Sequence, residues 1–188
     1  ETPTAFHVTV IPETPFLVIP KVSSERREYA PIGFIEPPTV ASDLLFVFAN
    51  AGKGDFSLLM SAMHMAWLRS FGGRLESRYR YSIGMVYNAF PMPPTNDLSK
   101  LDPHAQAILD ARANYPDASL ADLYDPDIMP ADLRRAHQAN DKAVDRLYRK
   151  APFKSERDRV EHLFQLYEKM TDPLLAKPAK KGRRRRAS

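Results

Sequence analysis

The chain contains no cysteine, and this absence limits the chemistry it can carry. Without thiols it forms neither a disulfide nor a thiolate metal site, which fits a reducing compartment such as the cytoplasm. No apolar run approaches the roughly 18 residues of a membrane span, and no signal-peptide pattern opens the sequence. We therefore expect a cytoplasmic protein with no membrane partner. Because the chain starts at Glu1 instead of Met, we also expect a fragment of a longer protein.

Glycine is scarce, with 7 residues against 17 prolines, and the glycine-rich nucleotide loops are missing. Neither GxGxxG nor GxxxxGK[ST] occurs, and "AGKGDF" has the wrong spacing for a phosphate loop, so it is interpreted as a turn. The five histidines show no metal-ligand spacing, and no Ser-His-Asp arrangement can be built. His64 and His137 lie on or beside apolar helix faces and are predicted to be packed in the core or at an interface, without a catalytic role. The sequence thus predicts no catalytic, cofactor-binding or metal-binding residue.

The positive net charge comes from one end of the chain. The last 12 residues, "KPAKKGRRRRAS", hold seven cations and no acid, which leaves 20 basic and 23 acidic groups elsewhere, a net charge of −3. A basic overall charge usually suggests a nucleic-acid partner. Here that inference must depend on where the charges of the remaining chain lie. The tail itself, 177–188, is predicted to be disordered, and it either adds non-specific DNA affinity or only solubilises the protein.

Patterning divides the chain into two parts. Short β-branched and aromatic runs bounded by Pro, Gly or Asn predict strands in the first part, namely "FHVTVIP", "FLVIPKV", "YAPIGFIEP" and "DLLFVFAN". One long helix is predicted over "GDFSLLMSAMHMAWLRSFGG". After "PMPPTN" the period becomes helical. We predict an α+β fold: a mixed α/β domain over 1–96 with short strands and one long helix, then a small all-α domain over 97–176.

The most informative segment is "GRLESRYRYS", in which charged side chains occupy every second position. On a single strand, Arg74, Glu76, Arg78 and Arg80 would share one face. That face is either a solvated surface held in ion pairs or a row of base-reading side chains. Arg bonds guanine in a bidentate way and Glu accepts from the cytosine amino group. The residue types alone favour ion pairs; Tyr79 and Tyr81 are predicted to lie in the core.

A second polar segment is "VSSERREY", which places Ser23, Ser24, Arg26 and Arg27 in a turn. Hydroxyl and guanidinium groups together suit phosphate oxygens. A surface loop paired with carboxylates explains the same residues equally well.

Several blocks of the sequence resemble a known family. "VSSERREYAPIGF", "LLMSAMHMAWLR", "GRLESRYRYSIGMVYNAFPMP" and "LADLYDPDIMPADLRRAHQANDKAVDRLY" are similar, in order, to the C-terminal region of MmeI-like, type IIG/IIL adenine-specific DNA methyltransferases. The resemblance covers about residues 15–172. It implies a DNA target recognition domain followed by a helical C-terminal domain, in an enzyme that methylates DNA and in many members also cuts it.

The resemblance also implies where the catalytic parts lie. In this family an upstream methyltransferase core carries the Gly-rich donor motif and an Asn-Pro-Pro-Tyr motif, and neither occurs here. S-adenosylmethionine is therefore expected in the full-length enzyme and no cofactor in this fragment. The expected partners are double-stranded DNA and the upstream core of the same chain.

The resemblance shifts the balance toward base reading, since family members are expected to differ in the segment holding the alternating charges. Glu76, Arg78 and Arg80 are predicted to read bases, with Lys21 and Asp43 as weaker candidates on adjacent elements. Predicted DNA backbone contacts come from Ser23, Ser24, Arg26 and Arg27, and from Arg74, a support at the start of the strand. Two alternatives stay open, a non-catalytic protein-interaction module and an enzyme active by itself.

Overall fold

The structure, a computed structural model, describes residues 12–95 and 97–175. The basic tail and all but the last residue of the first predicted strand (6–12) lie outside these ranges. The first part of the chain contains four strands, two helices and a hairpin: β1 (Phe16–Pro20), β2 (Val22–Ser23), β3 (Gly33–Ile35), β4 (Leu45–Phe48), α1 (Lys53–Leu59), α2 (Ala62–Phe71), β5 (Gly73–Leu75) and β6 (Arg78–Arg80).

A π-helical turn (Ile83–Tyr87) and a 3-10 turn (Ser99–Leu101) lead into the helical part. Its helices are α3 (Asp102–Ala113), α4 (Leu120–Leu123), α5 (Ala131–Tyr148) and α6 (Glu156–Leu175). This arrangement confirms the predicted α+β class, with strands and two helices in the first part and helices alone in the second. It also confirms strands within three of the predicted runs. No described helix is long and apolar enough to cross a membrane.

The strands form two small antiparallel sheets. In the first, β1 lies between β3 and β4, with Val18 opposite Gly33 on one side and Val47 on the other. In the second, β6 lies between β2 and β5. Lys21 joins the sheets, because its N–H donates to the carbonyl of Leu44 and its carbonyl accepts from the N–H of Tyr81, each at 2.9 Å. The two sheets therefore hold each other in position at this residue.

The predicted long helix is in fact two helices, since α1 ends just before Ser61 and α2 begins just after it. The Ser61 hydroxyl donates to the carbonyl of Leu58 at 2.6 Å and accepts from the N–H of His64 at 3.2 Å. It therefore closes α1 and caps α2 at the same point, satisfying backbone groups that helix ends leave free.

One hydrophobic core runs through both parts of the chain. Trp67 of α2 is buried, stacks on Phe71 at 3.8 Å between ring centroids and meets Tyr167 of α6 at 5.7 Å. A buried polar link adds to this, since the side-chain amide of Asn140 donates to the carbonyl of Ser57 at 2.9 Å. The same core cluster extends from Leu17 to Leu163.

His64 and His137 are completely buried, as predicted. His64 Nε2 and the Tyr81 hydroxyl share a hydrogen bond of 2.9 Å. The Tyr124 hydroxyl accepts from Arg112, at 2.6 Å from Nη2, and lies 2.7 Å from His137 Nε2. Its proton is therefore free for the imidazole, which must be neutral to accept it. Burial lowers the pKa of both histidines to about 3.

Gly54 marks a close approach between the two parts, and we expect Gly54→Ala to destabilise the protein. A Cβ at this position would lie 2.6 Å from Leu98 Cβ and 2.7 Å from the Leu98 carbonyl oxygen. Overpacking of this kind costs about 1–3 kcal/mol. Urea unfolding followed by the fluorescence of Trp67, the only tryptophan, measures it. Gly84→Ala is the control, because its Cβ would meet nothing within 4 Å; equal unfolding midpoints for the two variants would contradict the prediction.

Candidate nucleic-acid interface

The alternating charged segment is a hairpin, so the expectation of one continuous strand is wrong. β5 and β6 pair antiparallel, with Leu75 opposite Arg78 as the last pair before a two-residue turn of Glu76 and Ser77. Glu76 has a φ of 57°, in the left-handed region that side chains other than Gly seldom adopt. The chain reverses there, and the β5–β6 hairpin (residues 73–80) presents its charges on two faces.

The pairing register determines which face each arginine occupies. Arg74 lies opposite Tyr79, and Gly73 opposite Arg80. Tyr79 is buried, and the Arg74 guanidinium lies 4.3 Å from its ring centroid and donates to the Arg69 carbonyl at 3.2 Å. Arg80 is on the other face and exposed, together with Arg78. Arg74 therefore supports the base of the hairpin, whereas Arg78 and Arg80 lie on its outer face.

At the tip, Arg78 Nη2 donates to Glu76 Oε2 at 2.6 Å, and the two side chains are 47% and 76% exposed. An exposed ion pair contributes about 0–1 kcal/mol. Such a pair orients the Arg78 guanidinium, and replacing Glu76 by another hydrogen-bond acceptor would cost little energy. Base reading by Glu76, Arg78 and Arg80 stays a prediction.

A groove of about 440 Å³ lies beside Arg80, between the two sheets. Its walls combine two cations with apolar groups: Lys21, Phe46, Gly73, Arg80, Tyr81, Ser82, Ile83 and Met85. The Lys21 ammonium lies 5.2 Å from the Phe46 ring centroid. Met85 is on the π-helical turn and 61% exposed. The structure thus brings Lys21 and Arg80 to one groove.

Phe46, Ile83 and Met85 were not among the predicted site residues. Their apolar side chains match those of ordinary core positions in sequence, so only the structure distinguishes them. Asp43 lies on the exposed turn before β4, where the Ser42 hydroxyl donates to its carboxylate at 3.3 Å. The neighbouring Leu44 carbonyl accepts from the Lys21 N–H, which links this turn to a residue that lines the groove.

The 23–27 segment is tied to the helical part of the chain. Arg26 Nη2 donates to Asp127 at 2.6 Å, with both side chains well exposed, and this bond and charge raise the pKa of Arg26. Arg27 Nη2 donates to the Ala121 carbonyl at 3.4 Å. The Ser24 hydroxyl accepts from Arg26 N–H at 3.2 Å, and Ser23 is buried. A phosphate contact by Arg26 would require exchange of Asp127, and these backbone contacts also stay predictions.

Arg69, which was not among the predicted site residues, holds this segment in place through its guanidinium group. Its guanidinium donates to the carbonyl of Glu28 at 2.9 Å and to that of Arg27 at 3.4 Å, and pairs with Glu156 of α6 at 2.5 Å. The loop is therefore fixed to both α2 and α6. Within residues 12–95 and 97–175, no three His, Cys, Asp or Glu side chains are grouped so that they could hold a metal.

Comparison with known proteins identifies close relatives. Residues 1–94 match the family model described as MmeI, target recognition domain, and residues 92–175 match MmeI, C-terminal domain. DNA methyltransferase A of Bacillus subtilis (strain 168) is 40% identical over 158 residues, which are 83% of this chain and 18% of that protein.

A solved structure of the type IIL restriction-modification enzyme MmeI in complex with DNA superposes with a TM-score of 0.80 at 48% identity. The match covers 86% of this chain and 22% of that one. The chain thus spans about a fifth of the length of either relative.

Proposed function

The chain belongs to the MmeI family, and from this premise we propose that it reads the DNA sequence for a site-specific DNA methyltransferase. The observation that carries the proposal is the β5–β6 hairpin, which presents Arg78 and Arg80 outward while Tyr79 anchors it in the core. A two-stranded ribbon of this kind fits the major groove of B-DNA.

The spacing of the two arginines suits base reading. Alternate residues on a strand lie about 6.6–6.8 Å apart, which equals two base-pair steps of about 3.4 Å. Arg78 and Arg80 therefore face base pairs two steps apart, where each guanidinium donates to the N7 and O6 acceptors of a guanine. Glu76 either orients Arg78 or accepts from a cytosine amino group. Lys21, next to Arg80 in the groove, contacts a neighbouring base.

In the full-length enzyme we propose that the methylated base is adenine and the methyl donor S-adenosylmethionine. An upstream core flips the adenine out of the duplex, since a base inside the stack is out of reach. That core also holds the cofactor, because this chain lacks the Gly-rich donor motif and the Asn-Pro-Pro-Tyr motif. The residues of this chain position the enzyme on the DNA, so they determine which adenine reaches the catalytic groups.

The test is the methylation pattern of the full-length enzyme carrying Arg78→Ala, Arg80→Ala or Glu76→Ala. Loss of a base contact should cost about 1–3 kcal/mol in discrimination and relax one position of the recognised sequence. Sequencing of methylated sites in genomic DNA reads this out. An unchanged sequence motif with unchanged relative activity in all three variants would exclude base reading by the hairpin.

Two further variants serve as controls. Lys100→Ala removes an exposed cation from the 3-10 turn and should leave the motif unchanged. Arg26→Ala should weaken binding to all sequences alike, as expected for a phosphate contact. If the chain without residues 177–188 fails to bind duplex DNA, or binds it without a salt slope, the result would instead favour the protein-interaction alternative or dependence on the upstream core.

A further inference from the structure

Helix α5 exposes cations along one line of its surface and no acid. Its exposed positions are Ala131, Arg135, Gln138, Ala139, Lys142 and Arg146, and the exposed Lys150 follows two residues after its end. At 3.6 residues per turn, Arg135, Lys142 and Arg146 lie within about 40° of one another around the helix axis. We call these three residues and Lys150 the basic stripe.

The acids of α5 are less exposed than these cations and are bonded to other groups. Asp132 accepts from the Tyr115 hydroxyl at 2.9 Å, and Asp141 from the Ala62 N–H at 2.6 Å. Asp145 binds Arg159 of α6 through both carboxylate oxygens, at 2.7 and 2.9 Å. The basic stripe has no carboxylate within ion-pair distance among the residues that the structure describes. It is thus a line of cations without direct ion pairs, on a body whose net charge is −3 without the tail.

A groove of about 420 Å³ continues the stripe at its C-terminal end. It is lined by Lys142, Asp145, Arg146, Arg149, Lys150, Ala151 and Pro152. Arg149 is fixed there, since it pairs with Asp158 at 2.5 Å and its guanidinium lies 3.7 Å from the Phe153 ring centroid. The end of the stripe is therefore shaped as well as charged.

The helix dipole does not explain this distribution. Cations are stabilised at the last turn of a helix, which accounts for Arg146. Arg135 lies near the opposite end and Lys142 in the middle, where this effect has faded. From Arg135 to Arg146 the stripe extends about 16 Å, or roughly five base-pair steps of duplex DNA.

We propose that the basic stripe binds the phosphate backbone of duplex DNA outside the bases that the hairpin reads. The argument is charge complementarity: a straight row of unpaired cations at intervals of one or two helical turns faces a polyanion of regular spacing. The inference rests on the proposed function only in taking duplex DNA as the partner. It assigns the helical part a direct role in binding, through contacts that carry no sequence information.

The test measures DNA affinity against salt for the full-length enzyme and for a triple variant, Lys142→Gln, Arg146→Gln and Lys150→Gln. Log affinity falls linearly with log salt, and each lost phosphate contact makes this slope less steep by about 0.9, so three should make it less steep by about 2–3. Between about 50 and about 200 mM salt, the unmodified enzyme should then lose about 40-fold more affinity than the variant. The methylated sequence motif should stay the same.

A charge-matched triple variant, Lys53→Gln, Lys100→Gln and Lys169→Gln, is the control, since these cations are also exposed but lie off the stripe. The proposal is overturned if both triple variants reduce the steepness of the salt slope equally, or if the stripe variant leaves the slope unchanged. An unchanged slope in the stripe variant would point to an acidic protein surface as the partner. Arg135→Gln and Lys142→Gln, each lowering the slope by about 0.9, test the stripe without multiple changes.

The two DNA proposals fail in different ways. Hairpin variants test the recognised sequence, whereas stripe variants test the salt slope at an unchanged sequence. If the stripe variants change the salt slope as expected but the hairpin variants leave the recognised sequence unchanged, only the base-reading proposal is rejected. The reverse result would reject the stripe alone.

Discussion

The Asp145→Ala variant is expected to lose about 3–5 kcal/mol of unfolding free energy. Asp145 and Arg159 join α5 to α6 through two parallel hydrogen bonds, and their side chains are only 12% and 17% exposed. Removing the carboxylate leaves a guanidinium largely cut off from water without its partner. The guanidinium then keeps only the more distant attraction of Asp141 and Glu156, and its unsatisfied hydrogen-bond donors are the main cost. Urea unfolding monitored through Trp67 fluorescence measures the difference.

Two comparisons show whether burial is the cause. Arg157→Ala breaks an exposed pair on α6, with side chains 87% and 59% exposed, and should have little effect on the free energy of unfolding. The double variant Asp145→Leu, Arg159→Met replaces the buried pair by apolar groups and should regain most of the stability. If Asp145→Ala costs no more than Arg157→Ala, water reaches Arg159 and the buried-charge argument is wrong.

The second large effect is a loss of stability in acid, caused by the two buried histidines. In the unfolded chain His64 and His137 take up protons near pH 6.5, whereas in the folded protein burial lowers each pKa to about 3. Between these values only the unfolded chain binds the two protons, so stability falls as the pH falls. Each histidine contributes about 1.4 kcal/mol per pH unit, or together about 5 kcal/mol at pH 4.5.

Asp141 opposes this loss. Burial raises the pKa of its carboxyl to about 6, so the folded state takes up a proton below that pH. In the unfolded chain the same carboxyl is protonated only below about pH 4. This returns about 2 kcal/mol at pH 4.5, which leaves a net loss of about 3 kcal/mol. Denaturant titrations between about pH 7 and pH 4.5 should show the decline.

Substitution separates these contributions. Gln accepts or donates hydrogen bonds like a neutral imidazole but does not titrate. His64→Gln or His137→Gln should therefore halve the histidine part of the slope, and Asp141→Asn should make the decline steeper. In the double histidine variant Asp141 remains, so stability should rise on acidification by up to about 2 kcal/mol. His162 reduces this rise, because burial lowers its pKa as well. A decline unchanged by either single histidine variant would place its origin elsewhere.

The features predictable from sequence are those encoded by neighbouring residues. Strand runs bounded by Pro and the change to helical period gave the correct fold class. His64 and His137 were correctly placed in the interior because they lie on or beside apolar helix faces. The break at Ser61 was missed, since no Gly or Pro marks it and helical spacing continues on both sides. Only the hydrogen bonds of the Ser61 side chain reveal it.

The candidate site was harder to predict because its geometry depends on one turn and on distant partners. Hairpin turns with positive φ favour Gly, Asn or Asp, and a Glu-Ser turn gives no such signal. The alternation of Arg74 to Arg80 therefore suggested a single strand. The partner of Arg26 lies 101 residues away in sequence, so no local pattern indicates it. The basic stripe likewise requires knowing which face of α5 is buried.

The shared core has a consequence for synthesis on the ribosome. Phe56 and Leu163 belong to the same cluster but are made 107 residues apart. At about 5–20 residues per second, the first part waits roughly 5–20 s for its packing partners to be translated. During that interval α2 exposes the apolar face that α6 later covers. Nascent chains halted before α6 should therefore be sensitive to protease and bound by chaperones, and should become resistant once α6 has emerged.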